Sequence, residues 1–215
     1  VKQAIYDGGH QEFMGLEFQV NEHVLIPRQD TETLVELVLS EHKEKNISLL
    51  DVCTGSGCIA ISLAKLGGYT DVTALDLSEE ALKVARSNGE KLLDQPVKFI
   101  KSDMFSALNP EKQYNVIVSN PPYIPSQVIE GLEPEVKDHE PRMALDGEPD
   151  GLKFYRILAE EGKKYLKNGG SIYMEIGWDQ AKDVTEIFEA MGFSGLRTVR
   201  DMAGNDRVVC ARKEK

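Results

Sequence analysis

The chain has 215 residues, with 25 Lys and Arg against 36 Asp and Glu, and its formal net charge at pH 7 is −11. This length suits one domain, and 41% hydrophobic with 28% charged residues is typical of a globular protein. The sequence contains no signal-peptide pattern and no apolar run near the ~20 residues that cross a bilayer. Three cysteines are too few for a disulfide scaffold and favour a reducing, cytoplasmic compartment. The acidic balance argues against binding that depends on neutralising phosphates.

The first predicted elements are a β-hairpin and a helix. Residues 11–26 alternate apolar and polar side chains around a turn-like Asn21-Glu22-His23, which predicts a hairpin that Pro27 closes. From Thr31 to Lys45 the apolar residues follow a helical stripe, with acids early and lysines late.

Strands then alternate with helices along the chain. The predicted strands are 48–53, 71–76, 97–100, 114–119 and 171–176, and the predicted helices are 59–66, 79–93, 151–166 and 180–191. Ser78 is the expected N-cap of the second of these helices, and Gly169-Gly170 is the expected stop of the third. The alternation predicts a mostly parallel sheet covered on both faces. Two late runs, 195–200 and 207–212, predict an antiparallel hairpin at the end of the sheet.

Residues 120–150 interrupt this alternation. They hold six of the nine prolines and many acids, with little periodicity. A loop of this length inside a compact domain is usually functional or disordered. It starts at the end of a strand, where open α/β sheets bind their ligands, so we interpret it as functional.

A glycine-rich turn lies between the first of these strands and its helix, in residues 51–59. Gly55 and Gly57 allow the backbone to approach a ligand closely, and the helix that follows offers free N–H groups. Asp76 ends the next strand, where a carboxylate can accept both hydroxyls of a ribose. The pattern fits a dinucleotide, a nucleoside cofactor, or tight strand–helix packing without a ligand.

The second motif is Asn-Pro-Pro-Tyr at residues 120–123, directly after an apolar strand. Two prolines give a stiff backbone without N–H donors, so the Pro121 carbonyl is presented in one direction beside the Asn120 side-chain carbonyl. Two acceptors with the Tyr123 ring suit an amide or an exocyclic amine. The alternative is a rigid exit from the strand, with Tyr123 as a surface aromatic.

The glycine-rich turn, DxCxGxG from Asp51, resembles the (D/E)xGxGxG site for S-adenosylmethionine in class I methyltransferases. Cys53 replaces the first glycine, which we expect to be tolerated if its φ is negative. The resemblance implies an α/β, Rossmann-like class I fold with a mostly parallel seven-stranded sheet and a terminal antiparallel hairpin. It also implies a set of cofactor-binding residues, in which Asp51 lies near the methionine amino group and the tetrapeptide at 102–105 lies against adenine: Asp51, Cys53, Thr54, Gly55, Ser56, Gly57, Asp76, Leu77, Asp103, Met104 and Asn120.

The Asn-Pro-Pro-Tyr motif after this turn resembles methyltransferases that act on adenine, guanine or glutamine nitrogen. Four flanking segments, 12–36, 140–158, 174–180 and 201–209, are similar to the glutamine N5-methyltransferases of peptide release factors, the HemK/PrmC family. The resemblance implies methyl transfer to the glutamine of a Gly-Gly-Gln loop in a release factor, without membrane or direct nucleic-acid binding. Members carry an N-terminal helical domain, so residues 1–30 are expected to be a linker remnant and joining hairpin, and 31–215 the catalytic domain.

The resemblance also implies the residues that handle the substrate. Asn120, Pro121 and Tyr123 are the expected catalytic residues, and Pro122 joins them in binding the substrate. Outside this motif, Glu12 and Phe13 are candidates to cap the pocket, Arg28 and Arg207 are expected in structural salt bridges, and Glu175 is left open. Two other functions remain: an amino-methyltransferase of DNA or RNA, which needs a basic surface, and a nucleoside-binding module without turnover.

Overall fold

The computed structural model describes residues 9–129 and 140–214, and its centre is a seven-stranded sheet. The strands, in chain order, are β1 His10–Phe13, β2 Leu16–Gln19, β3 Ser48–Val52, β4 Asp71–Asp76, β5 Lys98–Lys101, β6 Tyr114–Ser119, β7 Leu166–Glu175, β8 Ser194–Arg200 and β9 Asp206–Arg212. The large sheet has the order β5-β4-β3-β6-β7-β9-β8, and β1 and β2 form a separate hairpin. Strands β3 to β7 are mutually parallel, whereas β9 runs antiparallel to β7 and to β8. The predicted parallel sheet with a terminal antiparallel hairpin is therefore confirmed.

Helices cover both faces of this sheet. They are α1 Glu32–Glu41 after a 3₁₀ turn Gln29–Thr31, α2 Cys58–Gly67, α3 Glu79–Leu92, α4 Ser126–Ile129, α5 Arg142–Leu145, α6 Lys153–Tyr165 and α7 Ala181–Ala190. Neighbouring β3 residues enter different cores: Leu49 packs in a cluster with α1 and α2, and Leu50 in a cluster with α6 and α7. In the described parts of the chain, no helix has the length and apolarity needed to cross a membrane.

The N-terminal hairpin turns at a different place from the prediction. Its turn is Met14-Gly15, not Asn21-Glu22-His23, and Phe13 pairs with Leu16 across it. Met14 and Gly15 have φ of 54° and 76°, which suits a two-residue hairpin turn. Residues 20–28 continue the alternating pattern without a strand, because Val20 and Val24 are buried against α3 instead.

The glycine pair after the third predicted helix is not a helix stop. Helix α6 ends at Tyr165, and β7 begins at Leu166 and runs through Gly169-Gly170. A Cβ on Gly170 would lie 2.9 Å from the Asn115 carbonyl oxygen, so the residue permits a close approach between β7 and β6. By contrast, the predicted cap of α3 is confirmed, since Ser78 Oγ accepts from the Ala81 N–H at 3.1 Å.

The strand order of the sheet reverses between β3 and β6. The chain moves outward from β3 to β4 and β5, and then returns to β6 on the other side of β3. This arrangement opens a crevice at the carboxyl ends of the strands, where ligands bind in sheets of this kind. The described parts of the long loop, 120–129 and 140–150, begin at this crevice, and residues 130–139 lie outside the described residues.

Candidate active site

A cavity of about 320 Å³ lies at the carboxyl ends of β3, β4 and β6. Most of the residues predicted to bind the cofactor line it: Cys53, Thr54, Gly55, Ser56, Asp76, Leu77, Asp103, Met104 and Asn120, together with Pro122 of the second motif. Four predicted residues do not line the cavity, namely Asp51, Gly57, Pro121 and Tyr123. The glycine-rich turn at 51–59 and the Asn-Pro-Pro-Tyr motif at 120–123 therefore meet at one site, although they are distant in the sequence.

Two glycines with a left-handed backbone conformation shape the glycine turn, and their surroundings differ. Gly55 has φ 56° and open space where a Cβ would stand, whereas Gly57 has φ 84° and would place a Cβ 2.9 Å from Ile61 Cδ1 and 3.2 Å from Ala85 Cβ. Gly57 thus lets α2 pack closely against α3, and Gly55 leaves the cavity wall open. The Gly55 N–H donates to Asp76 Oδ2 at 2.8 Å, which ties the turn to β4.

Cys53 adopts a conformation that differs from the expectation. Its φ is 67°, not negative, so it occupies the left-handed region that the glycine of the common motif adopts freely. This conformation costs a non-glycine residue about 1–3 kcal/mol and occurs mostly at functional sites. Burial raises the pKa of the Cys53 thiol well above its ordinary value, and Sγ lies 3.7 Å from Met104 Sδ. Cys53 and Met104 thus supply a neutral, polarisable patch of the wall.

Asp51 lies behind the turn as a fully buried carboxyl group. Its Oδ2 accepts from Thr54 Oγ1 at 2.7 Å, whereas Oδ1 has no partner among the described residues. Burial, opposed by the Thr54 hydrogen bond, raises the pKa of Asp51 to about 7. An unsatisfied carboxylate oxygen in this position is suited to a cationic group of a ligand, because a nearby positive charge favours the ionised form.

Asp76 stands at the end of β4 with both oxygens partly used. Oδ1 accepts from the Ser78 N–H at 2.9 Å and Oδ2 from the Gly55 N–H at 2.8 Å. Each oxygen keeps one further acceptor direction, and the side chain lines the cavity. Burial raises the pKa of Asp76. The place of Asp76 at the cavity is compatible with the predicted contact to the two hydroxyls of a ribose, which stays a prediction.

The Asn-Pro-Pro-Tyr motif begins directly after β6. Ser119 Oγ donates to the Val52 carbonyl at 2.6 Å and fixes the end of β6 against β3. Asn120 Oδ1 is buried at the cavity and has no hydrogen-bond partner in the described chain. A buried acceptor without a donor costs about 1–3 kcal/mol, so this oxygen is prepared for a donor that the protein itself does not provide.

Tyr123 is held from two sides, away from the cavity wall. Its hydroxyl donates to Glu175 Oε2 at 3.1 Å, and its carbonyl accepts from Gln180 Nε2 at 2.9 Å. The sequence analysis assigns no role to Glu175. This residue is buried at the end of β7, and its other oxygen accepts from Thr31 Oγ1. Burial raises the pKa of Glu175.

The sequence did not predict the segment that covers the cavity. Residues 23–28, which we call the strap, line it together with Pro141, Met143, Ala144 and Phe154. Arg28 makes a bidentate ion pair with Glu140, with both N–O distances 2.7 Å, and Glu140 Oε1 also accepts from the Ile26 N–H. The Glu140 side chain is fully buried, so this pair fixes the strap to the long loop. The only sequence signal for this contact was the resemblance of both segments to one family.

The remaining candidates are structural. Arg28 is in the predicted salt bridge, and so is Arg207, whose Nε lies 3.0 Å from Asp201 Oδ2. Neither Glu12 nor Phe13 lines the cavity, so the expectation that they cap it is wrong: Phe13 is buried in the core beside Phe18. In the described residues, no group of three or more His, Cys, Asp or Glu is arranged to hold a metal ion.

Comparison with known proteins shows which family this chain resembles. A family model described as the methyltransferase small domain matches residues 29–131. A release factor glutamine methyltransferase from Fusobacterium nucleatum is 45% identical over 217 residues, which cover 99% of this chain and 60% of that protein. Another from Streptococcus pneumoniae is 44% identical over 209 residues, covering 97% of this chain and 74% of that protein. The present chain therefore spans three-fifths to three-quarters of the length of these two relatives.

A solved structure extends the likeness to the fold. The crystal structure of a release factor-specific protein-(glutamine-N5) methyltransferase from Alicyclobacillus acidocaldarius is 31% identical, with a TM-score of 0.54. The match covers 88% of this chain and 95% of that one. Together with the strand order, these similarities show the class I fold of S-adenosylmethionine-dependent methyltransferases.

Proposed function

The chain belongs to the release factor glutamine methyltransferase family, and we propose that it methylates the side-chain amide nitrogen of a glutamine in a release factor. The proposed target is the glutamine of the Gly-Gly-Gln loop. The methyl donor is S-adenosylmethionine, which supplies an electrophilic methyl group on a sulfonium. We further propose that residues 1–30 join this domain to another part of the protein, and that 31–215 form the catalytic domain, on which the hairpin and the strap of the joining segment pack. We also propose that the protein works in the cytoplasm.

The observation that carries this proposal is the unsatisfied Asn120 Oδ1 at the cavity. It stands beside Pro121, whose carbonyl is fixed by a proline on either side of the following peptide bond. An amide NH₂ has two N–H donors. Asn120 Oδ1 matches one of them, and the proposal assigns the other to the carbonyl of the adjacent Pro121, which does not itself line the cavity. Glutamine and the amino groups of nucleic-acid bases share this chemistry, so the acceptors alone define the class of nitrogen.

Three independent features of the site fit the donor molecule. Asp76 lines the cavity and keeps acceptor directions for the ribose hydroxyls. Asp51 does not line the cavity, but its unsatisfied Oδ1, buried behind the glycine turn, provides negative charge near the proposed place of the methionine amino group. Met104 is a buried apolar surface of the wall, suited to contact adenine. The strap, residues 23–28, lines another side of the cavity.

The chain's own residues raise the reactivity of a poor nucleophile. An amide nitrogen delocalises its lone pair into the carbonyl, so its orientation and surroundings decide the rate. Asn120 Oδ1 and the Pro121 carbonyl accept both N–H bonds, aim the nitrogen at the methyl group, and stabilise positive charge that develops on it. No general base is needed before transfer, because the methylated nitrogen loses its proton readily afterwards.

The charge of the chain favours a protein over a nucleic acid as the substrate. The net charge is −11, and the loop that follows the Asn-Pro-Pro-Tyr motif is rich in acids. A nucleic-acid methyltransferase needs basic residues around the site to neutralise phosphates. Glu140, the first described acid after residues 130–139, is already paired with Arg28, which removes one cation from the surface near the cavity.

The direct test is methyl transfer from labelled S-adenosylmethionine to a purified release factor. We expect label in the wild-type release factor and none in a matched release factor in which the Gly-Gly-Gln glutamine is alanine. Mass spectrometry should place one added methyl on that glutamine. Equal labelling of both release factors, or labelling of RNA or DNA alone, would contradict the proposal.

A further inference from the structure

Glu175 is a buried carboxylate whose two oxygens bind two different elements of the site. It ends β7 with 4% of its surface exposed. Oε2 accepts from the Tyr123 hydroxyl at 3.1 Å, and Oε1 accepts from Thr31 Oγ1. Tyr123 ends the Asn-Pro-Pro-Tyr motif, and Thr31 lines the cavity at the end of the 3₁₀ turn that follows the strap. One side chain therefore connects the motif, the sheet and the entry to α1.

In the described part of the chain, Glu175 is not buried as one member of an ion pair. Burial raises the pKa of Glu175 and the charge of Arg207 lowers it in part, but the Arg207 guanidinium bonds Asp201 at 3.0 Å, lies 3.7 Å from Asp30, and donates to the Ile176 carbonyl at 3.2 Å. Within the described residues, no cation lies within salt-bridge distance of Glu175, and its side-chain bonds are to neutral hydroxyls. A buried carboxylate without a direct counter-charge is costly, and an apolar residue would pack here at lower cost.

The two bonds have a consequence for the orientation of Tyr123. Its main chain is fixed by the bond from Gln180 to its carbonyl, and the Gln180 Oε1 is in turn held by the Gly177 N–H at 2.8 Å. The hydroxyl bond to Glu175 fixes the other end of the side chain. Pro121 and Pro122 make the backbone before Tyr123 stiff, so a shift of Tyr123 also shifts the Pro121 carbonyl.

We infer that Glu175 is a positioning residue, which holds Tyr123 and Thr31 so that the Asn-Pro-Pro-Tyr acceptors meet the substrate amide in the reactive geometry. This inference rests on the proposed function and extends it to a residue outside the two motifs. Glu175 acts on the rate through Tyr123, and it does not itself touch the substrate.

The test is a double-mutant cycle with methyl transfer to a release factor as the readout. Glu175→Met keeps the side-chain volume and removes both acceptors, and Tyr123→Phe removes only the hydroxyl. We expect each to lower kcat at least tenfold, while the KM for S-adenosylmethionine changes less than threefold. The double variant should be no slower than the slower single variant, within twofold, because both changes break the same connection.

Two further variants separate positioning from general stability. Glu175→Gln can accept from one hydroxyl and donate to the other, so it should retain at least a third of the wild-type kcat. Tyr155→Phe is the matched control, since the Tyr155 hydroxyl bonds the main-chain carbonyl of Glu175 at 2.6 Å and not its carboxylate. It should lower the unfolding temperature and leave kcat within twofold of wild type.

The outcomes that overturn the inference are distinct from failure of the proposed function. Suppose that the wild type methylates the release factor, but that the fold-decrease in kcat of the double variant equals the product of the fold-decreases of the two single variants. Glu175 then does not act through Tyr123. A wild-type kcat in Tyr123→Phe would overturn the inference even if Glu175→Met does not fold. A wild-type protein that methylates no release factor would overturn the proposed function and this inference together.

Discussion

Asp76 gives the most direct link between a single side chain and cofactor affinity. In Asp76→Ala, the cavity loses both oxygens that keep a free acceptor direction, while the N–H groups of Gly55 and Ser78 lose their partners. A hydrogen bond to a charged group contributes about 1.5–3 kcal/mol, but the two freed N–H groups bond water or the ligand in part. We therefore expect a net loss of about 1–3 kcal/mol, which is about a 5- to 150-fold weaker Kd.

Isothermal titration calorimetry with S-adenosylmethionine measures this loss directly. Asp71→Ala is the matched control, because Asp71 begins the same strand at the end away from the cavity and pairs with Lys112 at 2.7 Å. We expect its Kd to stay within threefold of wild type. The reasoning about the ribose would be refuted if Asp76→Ala, folded by circular dichroism, bound the cofactor with the wild-type Kd.

Three further predictions concern the buried carboxyl groups and the glycine turn. The affinity for S-adenosylmethionine should rise as the pH increases through about 7, because only ionised Asp51 attracts the cofactor's ammonium. Calorimetry on Asp51→Asn should show weaker binding without this pH dependence. Gly57→Ala should lower the free energy of unfolding in urea by about 2–4 kcal/mol, because Gly57 has a φ of 84° and an added Cβ would contact Ala85. Gly15→Ala, where a Cβ would meet open space, should lower it by about 1–2 kcal/mol. Equal losses in the two variants would contradict the packing argument. Arg28→Met leaves the buried Glu140 carboxylate without its cation and should lower the free energy of unfolding by about 1–3 kcal/mol. This is less than for a fully buried ion pair, because the Arg28 side chain is 40% exposed. An unchanged urea midpoint would show that the pair does not hold the strap.

The sequence predicted those parts of the fold that depend on local pattern. The alternation of apolar strands and amphipathic helices predicted the sheet, and the side chain of Ser78 at a helix start predicted its cap, which the Ala81 N–H confirms. The errors arose where tertiary packing produces the same pattern as local structure. Val24 continues the alternation of a strand because it packs on α3, and Gly169 lies inside a strand although glycine pairs usually end helices.

The cavity was only partly predictable for a related reason. Residues that carry chemistry in a short motif, such as Asp76 and Asn120, can be identified from spacing, since parallel strands bring their carboxyl ends to one edge. The ion pair between Arg28 and Glu140 joins positions 112 residues apart, and no local pattern encodes it. The same is true of Glu175, whose role depends on two hydroxyls from distant segments.

Asn120→Ala tests the central claim most directly, because it removes a buried, unsatisfied side-chain acceptor at the cavity that is proposed to hold the substrate amide. With a purified release factor and saturating S-adenosylmethionine, we expect kcat to fall by about 10²-fold, as for the loss of one preorganised polar contact. Calorimetry on the same variant should give a Kd for S-adenosylmethionine within threefold of wild type. Methyl transfer at the wild-type rate in Asn120→Ala would contradict the claim.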